Sequence, residues 1–304
     1  MKKIILAGGS GFLGESFADY LTKRNYEVVI LSRSKKENKL NKRYVTWDGK
    51  TKGEWTEEIN DSIAIVNFTG KSVNCIYNEK NKKEIISSRL NSVQIIDQVV
   101  KECQNPPKVI VQAGSLAIYG NTDKLSDEDA PHGKGFSVEV CQKWENEFFK
   151  EKLEHTRKTM LRIGFVLGEN GGALEPLMKL TQYSLGGTIG SGKQYISWLH
   201  IDDLNKMMME AIENESYEGV YNATGDFPVT NKEFMKTLRE VMKKKIGLPA
   251  PTPLVWLGAY IVMRADPGLA LSGRKCVSKR LKEEGFVFEH TNLKQTLTHI
   301  IQKK

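Results

Sequence analysis

Cysteine is scarce. Four residues, Cys75, Cys103, Cys141 and Cys276, stand far apart, and no two form a Cys-x-x-Cys pair. Neither a disulfide framework nor a zinc site is expected, and no metal site is read from the chain. Long apolar runs are missing as well. After Met1-Lys2-Lys3 the apolar stretch 4–7 is too short for a secretion signal before glycines interrupt it. The longest run elsewhere, 254–263, is about half of the ~20 residues a membrane span needs. A cytoplasmic protein with no membrane association is expected. Low-complexity tracts and internal repeats are also absent. Net charge is +8, but the lysines are scattered singly among acids, as on a solvated surface. No helix-turn-helix, zinc finger or aromatic-plus-basic platform accompanies them, so no nucleic-acid partner is expected.

What the chain does contain is a globular composition, 39% hydrophobic and 27% charged over 304 residues. That is enough for one large domain, or a domain with an appendage. Short β-branched runs at 3–7, 27–31, 44–47, 63–68, 109–113, 158–167 and 219–223 alternate with helical patterns. This spacing predicts an α/β fold, a Rossmann-type doubly wound parallel sheet. Phe12, Leu13, Ser16, Phe17, Tyr20 and Leu21 give the first crossover helix one apolar face. Beyond about residue 168 glycines punctuate the chain and the alternation becomes irregular. Thr230-Asn-Lys-Glu233 is a capping box opening a helix that carries Phe234, Leu238 and Val241 on one side. Pro249, Pro251 and Pro253 then break the chain. The expected organisation is a nucleotide-binding core over 1–168, a smaller substrate lobe with a returning strand and helix over 169–248, and a helical C-terminal appendage over 249–304. In the appendage, Leu254, Val255, Leu257, Ile261 and Val262 are expected to pack against the main body on the substrate side. Arg274, Lys275, Lys279 and Arg280 either present charge to an acidic substrate or form a solvated basic helix.

Gly8-Gly9-Ser10-Gly11-Phe12-Leu13-Gly14 satisfies G-x-G-x-x-G immediately after a strand and at the start of a helix, the context that gives this pattern its meaning. Glycines allow the turn and let the backbone approach a pyrophosphate lying against the helix N-terminus. A chain that binds an unphosphorylated ribose usually places a carboxylate after the second strand. Here that strand ends in Ser32-Arg33-Ser34. Arg33 offers a planar fork for a 2′-phosphate, with Ser32 as a further donor, which points to NADPH; an exposed arginine in a basic loop is the alternative.

With these residues the sequence resembles the extended short-chain dehydrogenase/reductase superfamily. Within it, the chain resembles an atypical branch, the NAD(P)-dependent epimerase family with an uncharacterised C-terminal domain. The resemblance covers nearly the whole chain. It rests on the glycine loop, Trp47-Asp48, Asn67-Phe68-Thr69-Gly70, Ser88-Arg89, Trp144-Glu145, Leu161 to Gly168 with Val166 inside it, and the long segment Leu185 to Leu204. It implies a cofactor shell of Gly8, Ser10, Gly11, Phe12, Leu13, Gly14, Ser32, Arg33, Phe68, Thr69, Gly70, Glu84, Arg89 and Val166. Arg89 stands where typical members carry an asparagine facing the cofactor; Glu84 is a contact in the same neighbourhood or a surface charge.

Family members act through a serine and a Tyr-x-x-x-Lys pair. Ser115, five residues before Gly120, matches the serine, but the pair's positions hold Ser137 and Cys141. Lys143 lies two helical residues past the lysine position, about 200° around the axis. Tyr119 belongs to a separate Tyr-Gly feature. Cys141 is a buried helical cysteine or a reactive thiolate, with no cationic neighbour evident in the sequence. His200 either faces substrate or caps a helix, and Trp144 and Trp198 are expected in the core. Two readings follow. One is an NADPH-dependent oxidoreductase or epimerase-like enzyme acting on a small carbonyl-bearing substrate, with Ser115 polarising the carbonyl and Ser137, His200 or water supplying the proton. The other is a catalytically silent NADPH-binding regulatory or interaction protein.

Overall fold

The computed structural model describes residues 1–34, 36–169 and 171–303. The first half alternates strand and helix: β1 (Lys3–Ala7), α1 (Phe12–Thr22), β2 (Glu27–Ser32), β3 (Lys42–Thr46), α2 (Trp55–Ile59), β4 (Ser62–Asn67), α3 (Glu79–Glu102) and β5 (Val109–Ser115). A 3₁₀ turn (Leu116–Tyr119) leads to β6 (Thr122–Ser126), α4 (Phe136–Lys150), β7 (Arg157–Ile163), β8 (Phe165–Leu167) and α5 (Leu174–Gln182). Next come β9 (Tyr195–Ile196), β10 (Trp198–His200), α6 (Ile201–Glu213), β11 (Gly219–Ala223), β12 (Val229–Thr230) and α7 (Asn231–Val241). The last segment holds α8 (Thr252–Leu257), a π turn (Gly258–Met263), α9 (Gly268–Leu271), β13 (Arg274–Cys276), α10 (Arg280–Glu283) and α11 (Leu293–Gln302).

Seven strands form the central sheet in the order β11-β7-β5-β4-β1-β2-β3, and every adjacent pair is parallel. Alternate side chains of the inner strands feed two different cores. Ile4, Leu6, Val28, Ile30, Ala64, Val66, Val109 and Val111 pack on one face with α1 and α6. Ile5, Ala7, Val29, Leu31, Ile65 and Ile110 pack on the other with α3 and α4. Burial on both faces explains why these strands are continuous apolar runs rather than alternating ones. The sequence order reverses between β1 and β4, which run outward to β3 and β11 respectively. In open α/β sheets the ligand crevice lies outside the strand ends at such a point.

A third core joins β8 and β10 to α5, α7 and α11 through Leu167, Trp198, Phe234, Leu238, Leu297 and Ile300. The run read as one strand over 158–167 divides at Gly164. There the backbone changes partner: Gly164 donates to Ala223 in the central sheet, and Phe165 donates to Ser197 in the lobe. Two pieces of the last segment also differ from expectation. Leu254, Leu257 and Ile261 are 57%, 56% and 64% exposed rather than packed on the body. The close contacts there are made by small residues instead: Ala259 and Ala265 are buried, and the Asp266 N–H reaches the Cys75 carbonyl at 3.1 Å. The Val262 side chain lies outside the described residues. Arg274 and Lys275 belong to β13, paired with β6, not to a solvated helix.

Candidate active site

The glycine loop lies between β1 and α1, at the reversal point. Gly8 adopts φ +68°, and a Cβ there would lie 2.7 Å from Thr69 Oγ1. Gly14 passes so close to the preceding turn that a Cβ would meet the Gly9 carbonyl at 2.3 Å. Both therefore need to be glycine. Gly11 caps α1 without a side-chain hydrogen bond, and a Cβ on it would meet nothing within 4 Å. The first N–H groups of α1 thus face open space beside Ser10, while Leu13 packs back onto the core under the sheet. Such an end favours an anion. The Phe12 ring lies against Gly168, Gly171 and Gly172, and Val166 is buried in β8 just before them.

Phe68-Thr69-Gly70 leaves β4 on the other side of the loop. Its turn is set by a buried amide pair that the sequence reading did not single out. Asn67 Nδ2 donates to Gln112 Oε1 at 2.9 Å, Gln112 Nε2 donates to the Asn67 carbonyl at 2.9 Å, and Asn67 Oδ1 accepts from the Thr69 N–H at 3.0 Å. Thr69 Oγ1 is left buried without a partner, beside Gly8. A glycine cradle, an open helix N-terminus and an unpaired hydroxyl are the donors a dinucleotide pyrophosphate and ribose would take.

After β2, Ser32 Oγ donates to the Ser34 carbonyl at 2.5 Å. Arg33 is exposed and makes no hydrogen bond or ion pair among the described residues. Lys36, also not singled out from the sequence, spans from this loop to the glycine turn: its Nζ reaches the Ser10 carbonyl at 3.2 Å and Glu15 at 2.7 Å. The end of β2 presents cations where a carboxylate would select an unphosphorylated ribose.

Glu84 and Arg89 separate. Glu84 is paired with Lys71. Arg89 folds back toward the cleft, with its guanidinium carbon 4.9 Å from the Trp144 ring, and a Cβ on Gly70 would come within 3.0 Å of it. Its Nη1 donates to the Ile85 and Lys71 carbonyls at 2.9 and 3.1 Å, while Nε is buried and unbonded.

Ser115 ends β5. Its Oγ accepts from the Ala117 N–H at 3.2 Å and caps the 3₁₀ turn, so its own proton is free to be donated outward. Ser137 stands in the first turn of α4, which packs on β5 and on that turn. Tyr119 is held elsewhere. Its hydroxyl donates to Asn222 at 2.9 Å and accepts from Arg162 at 2.7 Å, and Arg162 makes a two-pronged pair with Glu145 at 2.9 and 2.8 Å. Burial pushes the Tyr119 hydroxyl up to about 12. Lys143 is exposed and paired with Glu139 at 2.7 Å. Neither stands in for the missing Tyr-Lys pair.

Cys141 has cationic neighbours after all, since Arg89, Arg274 and Arg162 all act on it. Burial and Glu145 outweigh them and push the thiol up to about 12, so it is no thiolate nucleophile. His200 is 2% exposed and caps α6 by accepting the Asp202 N–H at 3.2 Å, the helix-capping role. Trp144 and Trp198 lie in the core.

Two further residues complete the cleft. The Tyr77 ring meets Phe136 edge-on at 4.9 Å. Its hydroxyl is buried beside Ser137, with no partner at strict hydrogen-bond geometry; burial, first, and Asp266 hold its pKa above the usual value against the Ser137 hydroxyl and Arg89, which lower it. Arg274 donates through Nε to the Gly120 carbonyl at 3.1 Å. Desolvation depresses both Arg274 and Arg89, Tyr77 and Cys141 act on both, and no carboxylate acts on either. Nothing in the spacing around Tyr77 signals its role, because it reaches the site from the loop ahead of α3. Arg274 arrives from the far end of the chain.

Residues 4–224 match the NAD dependent epimerase/dehydratase family, and residues 252–300 match a domain of unknown function (DUF1731). The chain is 32% identical over 309 residues to the chloroplastic epimerase family protein SDR39U1 homolog of Arabidopsis thaliana, covering 98% of this chain and 86% of that protein. It is also 32% identical to the epimerase family protein YfhF of Bacillus subtilis, covering 98% and 97%. Among solved structures, human epimerase family protein SDR39U1 (isoform 2) with NADPH superposes with a TM-score of 0.87 at 28% identity, covering 99% of this chain and 100% of that one. A Rossmann sheet carrying the glycine cradle, with a match over most of its length, places this chain in the NAD dependent epimerase/dehydratase family.

Proposed function

We propose that this protein binds NADPH across the β1–β4 crevice and reduces, reversibly, a small carbonyl compound bearing an anionic group. The observation that carries the cofactor half is the open α1 N-terminus beside Arg33, which is exposed and unpaired among the described residues, with no acidic residue in Ser32-Arg33-Ser34 at the end of β2; Lys36 spans to the same loop while paired with Glu15. A human relative of the same fold is described with NADPH. The crevice floor is Gly8 to Gly14 with Thr69 and Gly70, and Phe12 and Val166 form its wall.

When bound, the dinucleotide supplies or accepts the hydride at the substrate carbon. The chain's own task is to polarise the carbonyl oxygen and move one proton to or from it. Ser115 is placed for the first: its oxygen is engaged by the Ala117 N–H and its proton is free. Tyr77 is the group placed for the second. Its hydroxyl is buried beside Ser137 and kept in the phenol form, and Ser137, in the lost tyrosine's position, serves as a relay. A phenol can still protonate an alkoxide formed in the cleft, because the alkoxide is the far stronger base. Arg89 and Arg274 are guanidinium groups desolvated without a carboxylate. Burying such a charge is costly unless a partner neutralises it, so an acidic group on the substrate completes the site. His200 is left out of this scheme.

The test is oxidation of NADPH, followed by absorbance, with a set of keto acids, phosphorylated aldehydes and neutral carbonyl compounds. Turnover confined to the anionic members supports the reading. Turnover confined to neutral carbonyls, or none with any of them, contradicts it. Nucleotide sugars should not be epimerised faster than about one per second, an ordinary enzyme rate, because Ser137 and Cys141 replace the pair that usually drives that exchange.

A further inference from the structure

Three of the chain's five histidines, His200, His290 and His299, come together where the last segment meets α6. The His200 and His290 rings stack at 3.8 Å between centroids, and His299 is 6.2 Å from the first and 5.9 Å from the second. Asp202 sits among them: its Oδ2 is 3.5 Å from His200 Nδ1 and 4.0 Å from His290 Nε2. One potential ligand atom from each of His200, Asp202 and His290 falls within 4.8 Å of the others. His200 Nε2 is buried with no partner.

We infer that His200, Asp202 and His290 bind a divalent cation of the zinc class, joining the C-terminal segment to the start of α6. Two imidazoles and a carboxylate form a nitrogen–oxygen set that suits Zn²⁺, with a fourth position for water or for the His299 imidazole. Bonds of ~2.0–2.1 Å place tetrahedral ligand atoms roughly 3.4 Å apart. The ligand atoms, up to 4.8 Å apart, therefore need to close by as much as ~1.4 Å to reach that spacing, through rotation of the side chains. The His200 Nδ1 lone pair now accepts the Asp202 N–H, a single hydrogen bond given up on binding.

The approach is open on one side, because Asp202 is half exposed. The supporting residues are already placed. Asp203 accepts the Glu289 and His290 N–H groups at 2.8 and 3.1 Å, fixing the loop that carries His290, as groups behind a metal ligand commonly do. A cation here would be a clip, distant in sequence from the cysteines that ordinarily advertise zinc. Its role is to hold 290–299 against the start of α6.

Full-length, metal-free protein is titrated with cobalt(II) chloride, followed by visible absorption, and then with zinc chloride. The expected result is one equivalent bound, an intense band of the four-coordinate type, and displacement by zinc. Affinity should fall at least tenfold in His290→Ala and in Asp202→Asn and stay unchanged in His155→Ala, an exposed histidine outside the cluster. Thermal unfolding should also rise in temperature with zinc in the parent and not in the two cluster variants. Asp202→Asn keeps the backbone cap on His200 and decides the matter if His290→Ala does not fold. Absence of a saturating band, equal titration in every variant, or a near-ultraviolet thiolate band showing cysteine ligation would each overturn the inference.

Discussion

Tyr77 is the residue on which the proposed chemistry turns. Its hydroxyl is buried between Phe136, Ser137 and two guanidinium groups, at a cost in desolvation. Tyr77→Phe removes the proton donor and little else. Turnover should drop by about 10²-fold or more, the usual worth of a general acid, with NADPH affinity within twofold of the parent. A fall in affinity equal to the fall in turnover would assign Tyr77 to packing instead. Arg33 bears on the proposed cofactor contact. It is exposed, so its replacement leaves the fold intact, and Arg33→Asp should narrow or reverse the preference for NADPH over NADH, read by calorimetry. An unchanged ratio would place the 2′-phosphate elsewhere, with Lys36 as the remaining cation at that turn.

At the scale of elements, the local rules written in the sequence are those the chain obeys. Gly8 to Gly14 follows β1 and opens α1, and Gly8 and Gly14 have backbone requirements that no other residue meets, so the motif could be read directly. The capping box was equally legible: Thr230 Oγ1 accepts the Glu233 N–H at 3.2 Å at the start of α7. Thr230→Ala should cost about 1 kcal/mol, measured by denaturant unfolding; a change under a few tenths would mean that the Phe234 and Leu238 packing alone fixes this helix end. The division of 158–167 was not legible, because both pieces are apolar and only the partners of Gly164 and Phe165 separate them. Tyr77, Gln112 and Lys36 escaped notice for a similar reason, while Arg274 was read as charge for an acidic substrate or as part of a solvated basic helix. Each reaches the site through a crossing of the chain, with no periodicity or spacing to announce it. Cys141 shows the limit of a neighbour-based reading, since its cations come from α3, β7 and β13.

For the whole molecule, the last segment is a structural part of the protein and not a detachable cover. β13 pairs with β6, Glu128 accepts the Lys279 N–H at 2.9 Å, and Leu293, Leu297 and Ile300 share a core with Phe234 and Trp198. Removing 249–304 strips apolar area from that core at roughly 25 cal/mol per Å² and takes Arg274 from the cleft. The truncated chain should be recovered mainly as aggregate; a soluble fragment with cooperative unfolding would show the segment to be dispensable. Hydrogen exchange in the intact protein should be slow at 293–300 and fast at 252–261, where the large side chains face solvent. Which residues of the segment would be buried was misjudged from composition, because the small Ala259 and Ala265 are buried there while the large side chains are exposed. The sheet, its switch point and its cations together amount to a site for a phosphorylated dinucleotide. Titration calorimetry of the full-length protein tests that most directly. NADPH should bind one per chain, at least tenfold more tightly than NADH, a difference of about 1.4 kcal/mol; equal affinities, or no binding of either, would contradict it.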